Sequence, residues 1–329
     1  MTIKQALLWA DRKLRGTEDP KKSAYFLLKN VIFEDESFIL AYPEFLLSKR
    51  QELKFRRWIL KRQKHLPVWY IAGFIDFYGL TLKVNKNVLI PRPETEVLVE
   101  MILSDLCCLS PYPELSKNCH SGLDPESIDC EKRLYKGILK QVQNDGISYF
   151  LHSRTGSELG GAGLVLADIG TGSGAIGLSL AKKLPEAKVY AIDISAKAIN
   201  LAKKNSKINN IQNVVFKKGN LLDPLKEKAN IIVANLPYIP TNDLNGLAFD
   251  IIHHEPRLAL DGGKDGLDIY RQFFIQVTSK IKSGGKIYLE IGENQGEKIR
   301  DLALDVFPNA NVLLKKDWAG LDRYVVLEM

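Results

Sequence analysis

From Leu164 onward the chain alternates between two hydrophobic patterns. LVLADIG, KVYAID, VVFKKG, NIIVAN, KIYLEIG, NVLLKK and YVVLEM are short apolar runs that read as strands. Between them, AIGLSLAKKL, AKAINLAKKNSKI, IYRQFFIQVTSKIK and NQGEKIRDLALDVF space their apolar residues as helices do. Strands alternating with helices predict an α/β fold: a mainly parallel, seven-stranded sheet covered on both faces. Only DWAGLD separates the last two runs, which predicts an antiparallel hairpin at the end of the sheet.

The first 70 residues are patterned differently. Ile3, Ala6, Leu7, Ala10 and Leu14 recur at helical spacing, with Gly16 as a stop. A second apolar run covers Ala24 to Phe33, and a third helix is expected from about Ser48 to His65, ended by Pro67. Residues 1–70 are therefore expected to form a small helical domain. IDFYGLTLKVNKNVLI then alternates apolar and polar residues, contains Gly79, and has Asn85 to Asn87 as a turn. That is a β-hairpin pattern, and residues 71–92 are taken as the linker to a larger domain spanning 93–329. A helix begins near Pro93, a residue suited to a first helical position.

Residues from about 107 to 162 fit neither pattern. CCLSPYPELSKNCHSGLDPESIDC is rich in Ser, Pro and Cys and has no sustained period. A structureless stretch this long inside a compact domain is unusual. It is expected to be an insertion, disordered or weakly ordered, that carries no chemistry; the alternative is a functional lid or partner loop.

Composition narrows the class. No run of about 18 apolar residues exists, and the N-terminus lacks the layout of a signal peptide, so a cytoplasmic protein is expected. All four cysteines lie between Cys107 and Cys130, without a C-x-x-C pair or a histidine at zinc-site spacing. They read as free thiols, and no metal is expected. The net charge is +7, and residues 1–66 carry 15 Lys and Arg against 8 Asp and Glu, which accounts for the whole excess. Such a lobe suits either an acidic partner or RNA through long-range attraction, or simply a solvated helical surface.

The first candidate chemistry is Asp168-Ile169-Gly170-Thr171-Gly172-Ser173-Gly174, which closes a strand and opens a helix. Glycines there let the backbone turn sharply and let a ligand approach the main chain. Asp193 ends the next strand, where a carboxylate can accept hydrogen bonds from vicinal ribose hydroxyls. Together they predict an adenosine-containing cofactor. The pattern alone does not choose between a nicotinamide dinucleotide and S-adenosylmethionine. Its G-x-G-x-G spacing, however, resembles the first motif of the seven-strand methyltransferases.

The second is Asn235-Leu236-Pro237-Tyr238, at the end of the fourth strand. An amide nitrogen is a poor nucleophile because its lone pair is delocalised. To attack a sulfonium methyl it needs to be held in line by acceptors on its two N–H groups. The Asn235 side-chain carbonyl and a nearby backbone carbonyl can supply them. Pro237 stiffens the turn, and Tyr238 offers a ring for a flat substrate group. His253 and His254 read as loop residues, since methyl transfer needs neither.

These residues resemble the release factor glutamine methyltransferases, over nearly the whole chain except about 107–162. The most specific string is Leu89-Ile90-Pro91-Arg92-Pro93-Glu94-Thr95-Glu96. Pro67 to Gly73, Glu255 to Leu260, Glu290-Ile291-Gly292 and Asp317 to Arg323 also match. The resemblance implies a Rossmann-like class I methyltransferase domain, a helical N-terminal domain that recognises substrate, and a hairpin between them. It implies S-adenosylmethionine as cofactor, held by Gly170, Thr171, Gly172, Ser173, Gly174, Asp193, the segment near Leu221 and Asn235, with S-adenosylhomocysteine as product. It implies that Asn235, Leu236, Pro237 and Tyr238 bind the glutamine of a Gly-Gly-Gln loop in class 1 release factors. Asn235, Pro237 and Tyr238 are the catalytic candidates. Direct nucleic-acid binding is not expected. The family usually has Asn-Pro-Pro-Tyr, so Leu236 is a departure, expected to keep the clamp with a looser loop. Arg92 and Glu94 to Glu96 are read either as lining the substrate entrance or as a helix cap with surface ion pairs. Two other readings stand beside this one: amino-group methylation of DNA or rRNA, and a cofactor-binding scaffold without catalysis.

Overall fold

The computed structural model describes residues 1–108 and 163–329. The insertion expected at about 107–162 and the cysteines within it lie outside these residues, apart from a helix end whose backbone reaches Cys108. In chain order the helices are α1 (Ile3–Lys13), α2 (Pro20–Ile32), α3 (Glu36–Ala41), α4 (Lys49–Arg62), α5 (Val68–Ala72), α6 (Pro93–Cys108), α7 (Ala175–Lys183), α8 (Ala196–Ile208), α9 (Phe249–His254), α10 (Asp268–Val277) and α11 (Gly296–Val306). The strands are β1 (Phe74–Phe77), β2 (Leu80–Lys83), β3 (Val165–Ile169), β4 (Lys188–Asp193), β5 (Val214–Lys218), β6 (Ala229–Asn235), β7 (Ile281–Glu290), β8 (Asn311–Lys316) and β9 (Asp322–Glu328). None of the described helices is long and apolar enough to cross a membrane.

The described residues form two compact units. One comprises Met1–Ile75, Lys83–Ile90 and Asn242–Ala259; the other comprises Asp76–Leu82, Pro91–Thr241 and Leu260–Met329. The first unit is therefore built from three stretches of chain, whereas sequence patterning puts residues 242–259 with the sheet.

In the helical unit, α1 and α4 start in the same way. Thr2 and Ser48 accept from the backbone N–H of Gln5 and Gln51, whose side chains accept in return from the cap N–H. This reciprocal capping satisfies donors that the first turn leaves unpaired. The helical spacing of Ile3, Ala6 and Ala10 buries them with Leu27, Leu28 and Phe55. Gly16 turns the chain after α1 at φ 90°. Six-residue α3 buries only Ile39, too little to show a period. His253 and His254 are not loop residues as read from sequence. They end α9, where the His253 ring stacks 3.8 Å from that of Phe249. Asp250 on α9 pairs with the buried guanidinium of Arg62 at the end of α4. Arg62 also donates to Ser23 Oγ at 3.2 Å and Glu18 O at 2.9 Å.

β1 and β2 form the expected hairpin. Its turn is Tyr78-Gly79, with φ 46° and 75°, the paired positive values of a tight hairpin turn. Asn85 to Asn87 turn the chain after the hairpin: Asn85 Oδ1 accepts from Asn87 N at 2.9 Å. Sequence reading stressed the asparagines because they favour turns, and gave less weight to a tyrosine in left-handed backbone.

The second unit is the seven-stranded sheet, in the order β5-β4-β3-β6-β7-β9-β8. The first five strands are parallel, and β9 and β8 form the antiparallel hairpin that the short DWAGLD connection predicts. Val165, Ala167 and Ile169 join a core with Tyr270, Phe273 and Phe274 of α10. The residues between them, Leu166 and Asp168, point to the opposite face and are buried too. Burial on both faces is why these strands read as unbroken apolar runs. From β3 the chain runs outward through β4 and β5, then returns to place β6 on the other side of β3. Strand order reverses there, and in sheets of this kind ligands bind at the carboxyl ends of the strands at that point.

Asp250→Ala leaves the Arg62 guanidinium buried without its partner charge. It is expected to cost the helical unit about 3 kcal/mol in urea unfolding, and Arg62→Met with Asp250→Leu should recover most of that. An unchanged transition in Asp250→Ala would show that the pair contributes nothing.

Candidate active site at the reversal of strand order

Strand register sets the site. Ile169 pairs with Ala234 on one side and with Ile192 on the other, so Gly170, Asp193 and Asn235 emerge side by side. Gly170, Gly172 and Gly174 have φ 74°, 55° and 88°, backbone that side chains disfavour. Gly170 N and Thr171 N donate to Ile192 O at 2.9 and 3.0 Å, which ties the turn to β4. A Cβ on Gly174 would lie 2.8 Å from Leu178 Cδ1, so the third glycine is also required by close packing.

Two carboxyls brace this turn. Asp168 Oδ2 accepts from Thr171 Oγ1 at 2.6 Å and from Gly177 N at 2.8 Å, while Oδ1 is buried with no partner among the described residues. Burial pushes Asp168 up to about 6, against those two hydrogen bonds and with a smaller upward push from the charge of Asp193. Asp193 Oδ2 accepts from Gly172 N at 2.9 Å and Oδ1 from Ser195 N at 2.8 Å. Burial raises Asp193 and those N–H groups oppose it. Each oxygen keeps a lone pair for a hydroxyl donor. Ile194 beside it is 49% exposed, an apolar face for a flat ring that sequence reading missed.

The segment after β5 reaches the same place, with Gly219 N donating to Asp193 O at 3.0 Å. Leu221, at φ 46°, turns its side chain into the core. Exposed backbone at Gly170, an acceptor pair at Asp193 and an unpartnered acid under the turn suit a ligand with a ribose diol and a positive charge. The residues present therefore fit S-adenosylmethionine.

The tetrapeptide at the end of β6 is braced from three sides. Leu236 is buried, and its Cδ2 would lie 3.2 Å from a Cβ on Gly170. Leu236 thus anchors the segment through its buried side chain, packed on the glycine turn. The Tyr270 hydroxyl donates to Glu290 O. Gln295 Nε2 donates to Tyr238 O at 2.8 Å. A Cβ on Gly266 would lie 2.2 Å from Tyr238 O, and one on Gly262 2.7 Å from Pro237 O. Burial, aided by the charge of Glu290 and opposed by Arg323 and Arg92, pushes the Tyr238 phenol up to about 12. Tyr238 is a neutral ring at working pH and no base.

Behind Asn235 lies a polar chain that sequence reading did not connect. Asn235 Nδ2 donates to Thr95 Oγ1 at 3.2 Å, and Thr95 Oγ1 donates to Glu290 Oε2 at 2.8 Å. Glu290 is the register partner of Asn235 on β7 and is 2% exposed. Burial pushes it up to about 7; Thr95, Arg323 and Asn235 pull it down and Glu94 pushes it up. Thr95 sits in the first turn of α6. Its neighbours there are structural: Glu96 Oε1 accepts from Tyr78 N at 2.8 Å, and Glu94 O accepts from the Tyr324 hydroxyl at 2.7 Å. Among the described residues no group of three or more His, Cys, Asp and Glu side chains could hold a metal ion.

Residues 161–290 match a family model described as a methyltransferase domain, and residues 5–73 match one described as the PrmC N-terminal domain. The release factor glutamine methyltransferase of Moorella thermoacetica is 38% identical, covering 98% of this chain and 97% of that one. The enzyme of the same name from Streptococcus pneumoniae is 36% identical over 92% and 89% of the two chains. The one from Bacillus cereus is 32% identical over the full length of both.

Gly266→Ala is expected to abolish activity and to destabilise the sheet unit by more than about 2 kcal/mol, since it adds a clash to a disfavoured φ. Gly246→Ala, with open space around it, should be silent in the same assays. The raised carboxyls predict a pH dependence as well. Asp168 and Glu290 hold their protons in the native state to about 6 and about 7, above their ordinary 3.8 and 4.5. Their contribution to stability is full below the ordinary values and is lost as pH rises through 6 to 7. It should amount to on the order of 3 kcal/mol for each group. Thermal unfolding from pH 5 to 8 should show the decline, and Asp168→Asn should remove the part centred near 6.

Proposed function

The chain belongs to the release factor glutamine methyltransferase family, and on that premise we propose that it methylates the side-chain amide N5 of the glutamine in the Gly-Gly-Gln motif of class 1 peptide chain release factors. The observation that carries the proposal is Asn235, held beside Gly170 with its amide group tied to Thr95. Its carbonyl is then turned away from Thr95, available to accept from a substrate NH₂.

When bound, S-adenosylmethionine would supply an electrophilic methyl on a sulfonium sulfur, with S-adenosylhomocysteine as the product. Gly170 to Gly174 and Asp193 would hold it. Asn235 Oδ1 accepts one amide N–H, and a backbone carbonyl of the 235–238 turn accepts the other. This removes rotational freedom from the nitrogen and aims its lone pair, which contributes several kcal/mol through orientation. The same acceptors stabilise positive charge as it builds on nitrogen. The amide proton is lost to solvent after the N–C bond forms. Tyr238, neutral and packed, covers one face of the planar amide and excludes water. Pro237 keeps the turn from opening. The basic helical domain of residues 1–70 supplies further recognition of the release factor in the cytoplasm.

Incubation with methyl-labelled S-adenosylmethionine and a release factor should label the factor. Asn235→Ala should lower kcat by about a hundredfold or more. Changing the glutamine of the Gly-Gly-Gln motif should remove the label. Equal label in that variant, or label in nucleic acid instead, would refute the proposal.

A further inference from the structure

Glu290 takes no part in the steps above, yet its carboxyl is buried beside the clamp. We infer that Glu290, acting through Thr95, is a positioning residue that sets which way the Asn235 carboxamide faces. The inference rests on the reading of Asn235 as the substrate clamp.

A carboxamide can rotate by half a turn and exchange its oxygen for its NH₂ with little change in shape. One orientation offers the substrate an acceptor, the other a donor, and only the first can hold an amide NH₂. The choice is made by what lies behind. An ionised carboxylate only accepts. It therefore takes the hydroxyl proton of Thr95, whose Oγ1 lies 2.8 Å from Glu290 Oε2. That hydroxyl has no proton left and can only accept, so the group 3.2 Å away must be Asn235 Nδ2. The carboxylate thus sets the direction of every bond in the chain. If Glu290 is neutral it can donate to Thr95, the hydroxyl proton is released towards Asn235, and the preferred orientation of the carboxamide reverses.

The groups that face Glu290 come from each element packed on it. They are Glu94 and Thr95 from α6, Arg323 and Tyr324 from β9, Asn235 and Tyr238 from the end of β6, and Tyr270 from α10. Arg323 favours the charged form, whereas burial and Glu94 oppose it, and the carboxyl sits near 7. The relay therefore changes direction within an accessible pH range. A merely structural Glu290, pinning the start of α6 to the sheet, would not act on the clamp in this way.

Two measurements on the full chain test this. The first needs no turnover. With ¹⁵N-asparagine labelling, the Asn235 side-chain amide resonances should shift with a midpoint near pH 7, and the shift should vanish in Glu290→Gln. A pH-independent Asn235 amide would overturn the inference. The second is kinetic. Glu290→Gln and Thr95→Val should each lower kcat by about tenfold or more, with KM for both substrates within about threefold. Thr95→Ser, which keeps the hydroxyl, should restore most of the rate. Wild-type kcat should fall below pH 7 with a single ionisation that Glu290→Gln lacks. Wild-type kcat in Thr95→Val, or an acid limb that persists in Glu290→Gln, would overturn it. If Glu290→Gln does not fold, the Thr95 pair decides. If the wild type methylates no glutamine while the amide titration is present, the proposed function fails and the positioning of Asn235 stands.

Discussion

The pairing of β3 with β6 is the constraint on which the site depends. Gly170 follows Ile169, and Asn235 follows Ala234, and those two residues are register partners at the point where strand order reverses. A shift of one residue would turn Asn235 to the other face of the sheet and would separate it from Gly170. The glycine turn and the Asn235–Tyr238 segment are therefore positioned by one set of backbone hydrogen bonds. Leu236 reinforces them, packing against the turn from the clamp side. The next pair outward, Asn235 with Glu290, extends the same register to the residue behind the clamp.

Much of this was legible in the sequence because it follows from periodicity and turn chemistry. Seven apolar runs correspond to seven paired strands; central strands such as β3 and β6, buried on both faces, leave few polar positions to blur the pattern, while the edge strands β5 and β8 are only partly buried. The helix start at Ser48 was legible, although a helix as short as α3 leaves no period to read. The hairpin was legible but its turn was not, because Tyr78 adopts a left-handed conformation that its residue type does not advertise. The grouping of residues 242–259 with the helical unit was also hidden. Among the contacts that join these stretches is the pairing of Arg62 with Asp250, which lie 188 residues apart. Spacing cannot report a contact at that distance.

The candidate site divides in the same way. Glycines and Asp193 are local signals with a local cause. Leu236 departs from the family's usual proline, and its side chain is buried against the glycine turn. The Pro91 to Glu96 string was notable only by resemblance. The structure gives part of it a physical role: Thr95 links Asn235 to Glu290, Glu96 caps the turn of the hairpin, and Glu94 holds Tyr324. Three residues from α6, β6 and β7 meet in one buried polar chain, and no motif read along one dimension would connect them. Placing a carboxyl there opposes stability at neutral pH, as does Asp168 under the glycine turn. Both costs fall at the site where an oriented polar group is needed, and nowhere else in the sheet is a carboxyl so deeply buried among the described residues.

The central claim is that the protein aims a methyl at a side-chain amide nitrogen. Tandem mass spectrometry of a release factor, after reaction with enzyme and S-adenosylmethionine, reads the position of the added methyl directly. One methyl is expected, on the side-chain nitrogen of the Gly-Gly-Gln glutamine. A methyl on a backbone, carboxyl or lysine site of the factor, or an unmodified factor alongside methylated RNA, would contradict it.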